Sequence, residues 1–361
     1  MGPYILKRLL LMIPTLLGVM LVTFAIIQFV PGGPIETIIA QMENPGDAGS
    51  RLNSGTENIG SESSGGSSKY KGADNLDPET IKKLEKQFGF DKPPVERFLL
   101  MLKNYLMFDF GQSYFNDRPV ISLILEKLPV SMSLGLWLTL VSYLVSIPLG
   151  ISKAIHDGDR FDVWSSAVII VGYAIPGFIF AIILIVLFAG GSYYDWFPLK
   201  GLTSDNFKEL SVMGKIRDYI WHLVLPLLAL GVSSFATMTL LTKNSFLDEI
   251  RKQYVTTARA KGLTERRVLY GHVFRNAMLL VIAGFPGAFI HAFFTGSLLI
   301  EQVFSLDGLG YLTFRMVEKR DYAVVFASLY IMTLIGLFIH LISDLLYMWI
   351  DPRIDFDSRE V

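Results

Sequence analysis

Few residues of this 361-residue chain could carry bond chemistry, and those few are not assembled for it. Cysteine is absent, which excludes disulfides and thiol catalysis. Nucleotide cleavage needs a G-x-x-x-x-G-K-[ST] loop behind a strand, so that backbone N–H groups can cradle phosphate. Gly65-Gly66-Ser67-Ser68-Lys69 lies in a polar tract with no strand before it, and Gly214-Lys215 is followed by Ile216 where a hydroxyl is required. No H-E-x-x-H or G-x-S-x-G element occurs, nor any cluster with metal-ligand spacing. Ser233 and Ser234 have no base presented to them, and His291 and His340 read as histidines satisfied by carbonyls or water. Asp344 stands two turns before Asp351, near the end of the last apolar run. No pair of carboxylates falls in the middle of an apolar run, where a proton- or sodium-driven carrier would be expected to hold one.

The chemistry that remains is electrostatic, and it is concentrated in residues 243–276, KNSFLDEIRKQYVTTARAKGLTERRVLYGHVFRN. Arg251, Lys252, Arg259, Lys261, Arg266, Arg267 and Arg275 outnumber Asp248, Glu249 and Glu265. Local rules give two short helices here. Ser245 is a candidate N-cap with Asp248 three residues on, and Asp248 is placed to pair with Arg251 and Lys252. Leu247, Ile250, Tyr254 and Ala258 form an apolar stripe. Gly262 suits the left-handed position that ends a helix, with Leu263 touching Ala258 across the end. Thr264 then caps a second helix, Glu265 sits at its positive end, and Val268, Leu269 and Val273 give it an apolar side. Two readings stay open: a positive-inside loop with no further task, or a docking element whose small residues Ala258, Ala260 and Gly262 admit close backbone approach.

The elements that must position this loop are membrane spans. More than half of the chain is hydrophobic and its net charge is −1. Apolar runs at about residues 9–30, 130–152, 163–189, 222–242, 277–299 and 323–350 each reach the roughly 20 residues a bilayer crossing needs. The first is too long for a cleaved leader and lacks a small-residue cleavage site, so an uncleaved span is expected. Basic residues at Lys7, Arg8, Lys153, Arg160, the large loop, Arg353 and Arg359 outweigh those of the opposite loops, which places both termini in the cytoplasm. Residues 31–129 form an extracytoplasmic region. Its Gly/Ser-rich insert at 44–75 is expected to be disordered. Amphipathic helices are expected from Asp77-Pro78 and from near Pro94, then a short helix from Pro119 to Leu128 ending at Pro129. Residues 130–361 make a five-helix core with the cytoplasmic loop 244–275. Pro176, Gly177, Gly284, Pro286 and Gly287 interrupt spans, either for close packing or as hinges lining a path.

The chain resembles the membrane subunit of peptide-importing ABC transporters, the oligopeptide/dipeptide permease family, and most closely its YejB-type branch associated with microcin C and oligopeptide uptake. The resemblance runs through Lys7-Arg8-Leu9-Leu10, Pro31-Gly32-Gly33-Pro34, Phe108-Asp109-Phe110-Gly111 and Ser146-Ile147-Pro148-Leu149-Gly150. It continues in Tyr254-Val255, Ala258-Arg259-Ala260-Lys261-Gly262-Leu263, Glu301, Phe304, Gly308, Gly310, Arg320-Asp321-Tyr322 and Asp351-Pro352-Arg353-Ile354. Two departures are plain. Thr256 and Thr257 stand where the general importer loop has Glu-Ala, and Arg275 stands where it has proline. The resemblance implies an all-α type I ABC importer permease with six transmembrane helices in the bacterial inner membrane. It implies no catalysis and no cofactor in this chain, with ATP and Mg held by a partner ATPase on separate or fused polypeptides. It implies a second homologous permease subunit, a periplasmic peptide-binding protein, a peptide substrate and no nucleic acid. Tyr254, Ala258, Arg259, Ala260, Lys261, Gly262 and Leu263 would couple to the ATPase. The competing reading is a stand-alone secondary carrier or channel.

Overall fold

A backbone in hydrocarbon must satisfy its own polar groups, so long apolar runs become helices. The computed structural model describes residues 2–29 and 92–350, except 114, 117, 192, 295 and 296. The insert at 44–75, the Asp77-Pro78 helix start and Asp351-Pro352-Arg353-Ile354 lie outside the described residues. The helices are α1 (Gly2–Phe29), α2 (Pro94–Leu106), α3 (Val120–Ile155), α4 (Arg160–Ala174), α5 (Gly177–Phe188), α6 (Val212–Ile250), α7 (Gln253–Ala260) and α8 (Glu265–Val268). A π-helical turn (Leu269–Val273) joins α8 to α9 (Phe274–Phe294), and α10 (Ser297–Val303), α11 (Leu309–Glu318) and α12 (Tyr322–Ile350) follow. No strand occurs among the described residues; the backbone makes only an isolated bridge between Gln112 and Pro119.

Five segments are long and apolar enough to cross a membrane: Tyr4–Ala25, Val120–Ile155, Val212–Ile250, Glu265–Phe289 and Tyr322–Leu346. The expected span at 163–189 is not one straight helix. It is α4 and α5, bent by 100° at Ile175 and Pro176. Proline cannot continue the helix before it, and it opens the next one at its N-cap. Elsewhere proline is absorbed. Pro129 and Pro148 both lie inside α3, so the short helix expected at 119–128 and the span after it are a single element. Neighbouring groups in a bundle re-satisfy the carbonyl that proline frees. Much of the apolar surface faces outward: Leu144, Trp164 and Val168 are each about 70% exposed. Apolar exposure on that scale suits lipid rather than water.

The chain divides into two compact units. One comprises Met1–Leu10, Leu125–Leu312 and Met332–Val361. Here α6 is the central element, packed by α4, α5 and α9. Gly150 of α3 lets the backbones close up, since a Cβ there would sit 2.6 Å from Thr242 Cβ and 2.8 Å from the Thr239 carbonyl. Leu134, Ala181, Leu223, Ala229, Ile300 and Phe304 form one apolar cluster. Beside it the fully buried Glu301 accepts from Ser131 Oγ (3.0 Å) and from the Tyr311 N–H (2.8 Å), while Ser131 Oγ accepts from the Leu309 N–H (2.9 Å). The start of α11 is thereby capped by a carboxylate from α10.

The other unit comprises Leu11–Ile124 and Thr313–Ile331. Pro94 opens α2 at its first position, as the sequence predicts. Tyr105 packs edge-on against both Phe110 and Tyr330, which lie tilted to each other, and buried Ser113 donates to buried Asp321 at 2.6 Å.

Candidate functional site

The basic loop folds differently from its local reading at one end, and at the other it follows that reading at Gly262 but not at the helix beyond. α6 does not stop near Thr242; it continues to Ile250. Ser245 is therefore no N-cap. It is buried within α6 and donates to the Ala277 carbonyl of α9 at 2.6 Å. The chain breaks only at Arg251 and Lys252, and Lys252 holds the N-cap position of α7. The expected pairing through Asp248 is replaced by Glu249, which takes Lys252 and also accepts from Tyr254 Oη (2.7 Å). Asn276 donates to that same phenol oxygen at 3.3 Å. Burial raises the Tyr254 phenol above its ordinary pKa; the bond to Glu249 acts in the same sense and the Asn276 bond opposes it. The bond to Glu249 likewise raises Lys252.

At the far end Gly262 adopts φ +77°, open to solvent with nothing near its missing Cβ. The Gly262 N–H donates to the Arg259 carbonyl (2.9 Å) and the Leu263 N–H to the Ala258 carbonyl (3.4 Å). This is the paired closure that a left-handed glycine permits. Thr264 stands at the N-cap of α8, yet its hydroxyl makes no capping bond. The second short helix is not separate: α8 runs through the π turn into α9. Arg259 instead closes the bend from outside, with Nε 2.8 Å and Nη2 3.1 Å from the two Glu265 oxygens.

The apolar stripe faces inward. Ala258 is buried and Val255 wholly so, packed with Phe246, Val268, Val273 and Ala277; Leu247, Ile250, Tyr254 and Leu263 cover their margin. A partner could not use that stripe. What α7 shows outward is Gln253, Thr256, Thr257, Arg259 and Ala260, followed by Lys261 and Gly262. Of the seven loop residues singled out by sequence, four are thus exposed (Arg259, Ala260, Lys261 and Gly262). Tyr254, Ala258 and Leu263 anchor them.

Local reading also misses a charge network that ties this end of α6 to its neighbours. Lys153 of α3 is fully buried; its Nζ lies 2.9 Å from Asp162 Oδ1 and donates to Ser165 Oγ and Ser166 Oγ, each at 2.7 Å. Lys243 of α6 bridges Asp162 (2.7 Å) and Asp157 (2.9 Å), and Arg251 reaches Asp157 at 3.6 Å. The signal in the sequence was that Lys153 and Asp162 flank a short loop on the same basic side. The hinge candidates are scattered. Pro176 and Gly177 form the α4–α5 break, where a Cβ on Gly177 would stand 3.0 Å from the Ala229 carbonyl. Gly284, Pro286 and Gly287 lie inside α9, with open space beside both glycines. Among the described residues no group of His, Asp and Glu could hold a metal ion.

Residues 146–356 match the family model of the binding-protein-dependent transport system inner membrane component. The chain is 64% identical, over the full length of both chains, to the peptidoglycan transport system permease protein YejB of Agrobacterium fabrum (strain C58 / ATCC 33970). It is 56% identical to the inner membrane ABC transporter permease protein YejB of Escherichia coli O157:H7, covering 99% of this chain and 100% of that one. It is 32% identical to the oligopeptide transport system permease protein AppB of Bacillus subtilis (strain 168), again over 99% and 100%.

Proposed function

The chain belongs to the inner membrane components of binding-protein-dependent transport systems, and from that premise we propose that α7 and the Gly262 turn are where a separate ATPase grips it. It is a polytopic, all-α permease subunit of an ABC transporter and is itself not catalytic. The observation that carries the proposal is a division of labour within one short helix. Val255 and Ala258 fasten α7 to the ends of α6 and α9, while Thr256, Thr257, Ala260 and Lys261 stand free on its other side. A push on the free side must be delivered to the spans. ATP and Mg belong to the partner. A second permease chain and a periplasmic binding protein complete the assembly, and both termini of this chain lie in the cytoplasm.

The cargo is a peptide taken up by alternating access. The names of the relatives, one for peptidoglycan transport and one for oligopeptide transport, support peptide-bearing compounds, cell-wall peptides among them. A few kcal/mol between inward-open and outward-open forms is enough for nucleotide and cargo to shift the population. The test is Gly262→Val and Arg259→Glu in the assembled transporter. Both variants are expected to reach the membrane and to leave ATP hydrolysis running while peptide import falls. Normal import by both would remove the loop from the coupling path.

A further inference from the structure

Between α3, α4, α6 and α9 lies a cavity of about 400 Å³ whose lining sets hydroxyls among apolar side chains such as Leu138, Met238 and Leu241 and is uncharged among the described residues. Thr139 and Ser142 come from α3, Ser233, Ser234 and Thr237 from α6, and Gly284 opens the wall of α9. Hydroxyls in this chain generally find a partner one turn back: Thr139 donates to the Gly135 carbonyl, Thr237 to that of Ser233 and Thr242 to that of Met238. Ser146, one turn beyond Ser142, donates to the Phe235 carbonyl. Ser142 breaks the habit. It is 4% exposed, and its Oγ is buried with no hydrogen-bond partner. A buried hydroxyl left unsatisfied in an apolar bundle is costly and calls for an explanation.

The geometry points to a binding site for the neutral backbone of a short peptide stretch. This deepens the transport reading and rests on it. Thr139 and Thr237 give their protons to the backbone and are left as acceptors for an amide N–H, whereas Ser142 keeps a proton for an amide C=O. Among the described residues no charged side chain lines the cavity, so a charged terminus would enter unpaired and at high cost. The volume falls within the range of about 300–1,000 Å³ for small-molecule sites, which suits part of an oligopeptide rather than the whole. A Cβ on Gly284 would meet nothing within 4 Å, so the space beside it is open to a ligand.

Because the chain has no cysteine, Ser234→Cys gives a single reporter in the wall. The experiment measures its alkylation by a thiol reagent in the assembled transporter in nanodiscs, with N-acetyl-alanyl-alanine amide, free dialanine or N-acetylglucosamine added. The capped dipeptide is expected to slow alkylation saturably and the other two to leave it unchanged. Adding Ser142→Ala is expected to weaken protection about tenfold, as for loss of one hydrogen bond, with the rate in the absence of probe unaltered. Equal alkylation with and without the capped dipeptide overturns the proposal, as do better protection by the sugar and undiminished protection in Ser142→Ala. Import of a labelled peptide is measured alongside. Import without protection removes the pocket alone, whereas absence of import removes the transport reading whatever the labelling.

Discussion

Gly262 and Gly308 are both required, for opposite reasons. Gly262 stands in open solvent at φ +77°, so only its backbone matters: Gly262→Ala should cost about 1–2 kcal/mol for the left-handed conformation and Gly262→Val more. Gly308 is required for space, because a Cβ there would lie 2.5 Å from the buried Glu301 carboxyl. Gly308→Ala should destabilise by about 1–3 kcal/mol through overpacking, read as a lower unfolding temperature in detergent, whereas Gly284→Ala, with nothing within 4 Å, should leave it unchanged. The first glycine was legible in the sequence, since a left-handed helix end is a local matter. The second was not: the group it must avoid is seven residues away and is brought there by the fold.

At the scale of elements, the charge network at the ends of α3, α4 and α6 makes a sharper prediction. Lys153→Met leaves Asp162 short of one cation and should cost about 3–5 kcal/mol, as expected when one partner of a buried pair is removed. Adding Asp162→Asn should recover part of that loss, because Lys243 keeps Asp157 at 2.9 Å. A double-mutant cycle on thermal unfolding measures it, and strict additivity would mean the two groups do not interact. The same network explains why the end of α6 was misread. Lys243, Asn244 and Ser245 look like the start of a loop, since polar residues after an apolar run usually are. Two of them are satisfied by groups far away in sequence, Asp157 and Asp162 for Lys243 and the Ala277 carbonyl for Ser245. Periodicity cannot register partners at such distances. The order of the apolar runs was legible, because bilayer length constrains each run by itself. The break at Pro176 was visible as a residue but not as a 100° bend.

For the whole molecule, α4 and α5 decide the count of crossings. At 1.5 Å per residue they are about 22 and 18 Å long, so neither alone spans a core of about 30 Å. Taken as one bent crossing, they make six, an even number that returns both ends of the chain to the same side of the membrane. Cysteines introduced singly at exposed Lys261 and exposed Lys208 should then react with an impermeant thiol reagent from opposite sides, Lys261→Cys from the cytoplasm and Lys208→Cys from outside. With the N-terminus inside, the reverse pattern, Lys208→Cys reacting from the cytoplasm and Lys261→Cys from outside, would mean that α4 and α5 enter and leave by the same face, because α6 alone separates the two sites.

The wide turn at Leu269–Val273 carries its own arithmetic. A helix advances about 100° per residue, so excising one amino acid there would slide every upstream side chain one position along the downstream register. Arg267, now exposed, would fall where Val268 is 1% exposed. The surplus residue acts as a phase shifter, keeping the guanidinium groups of the basic bend out of the greasy seam behind it.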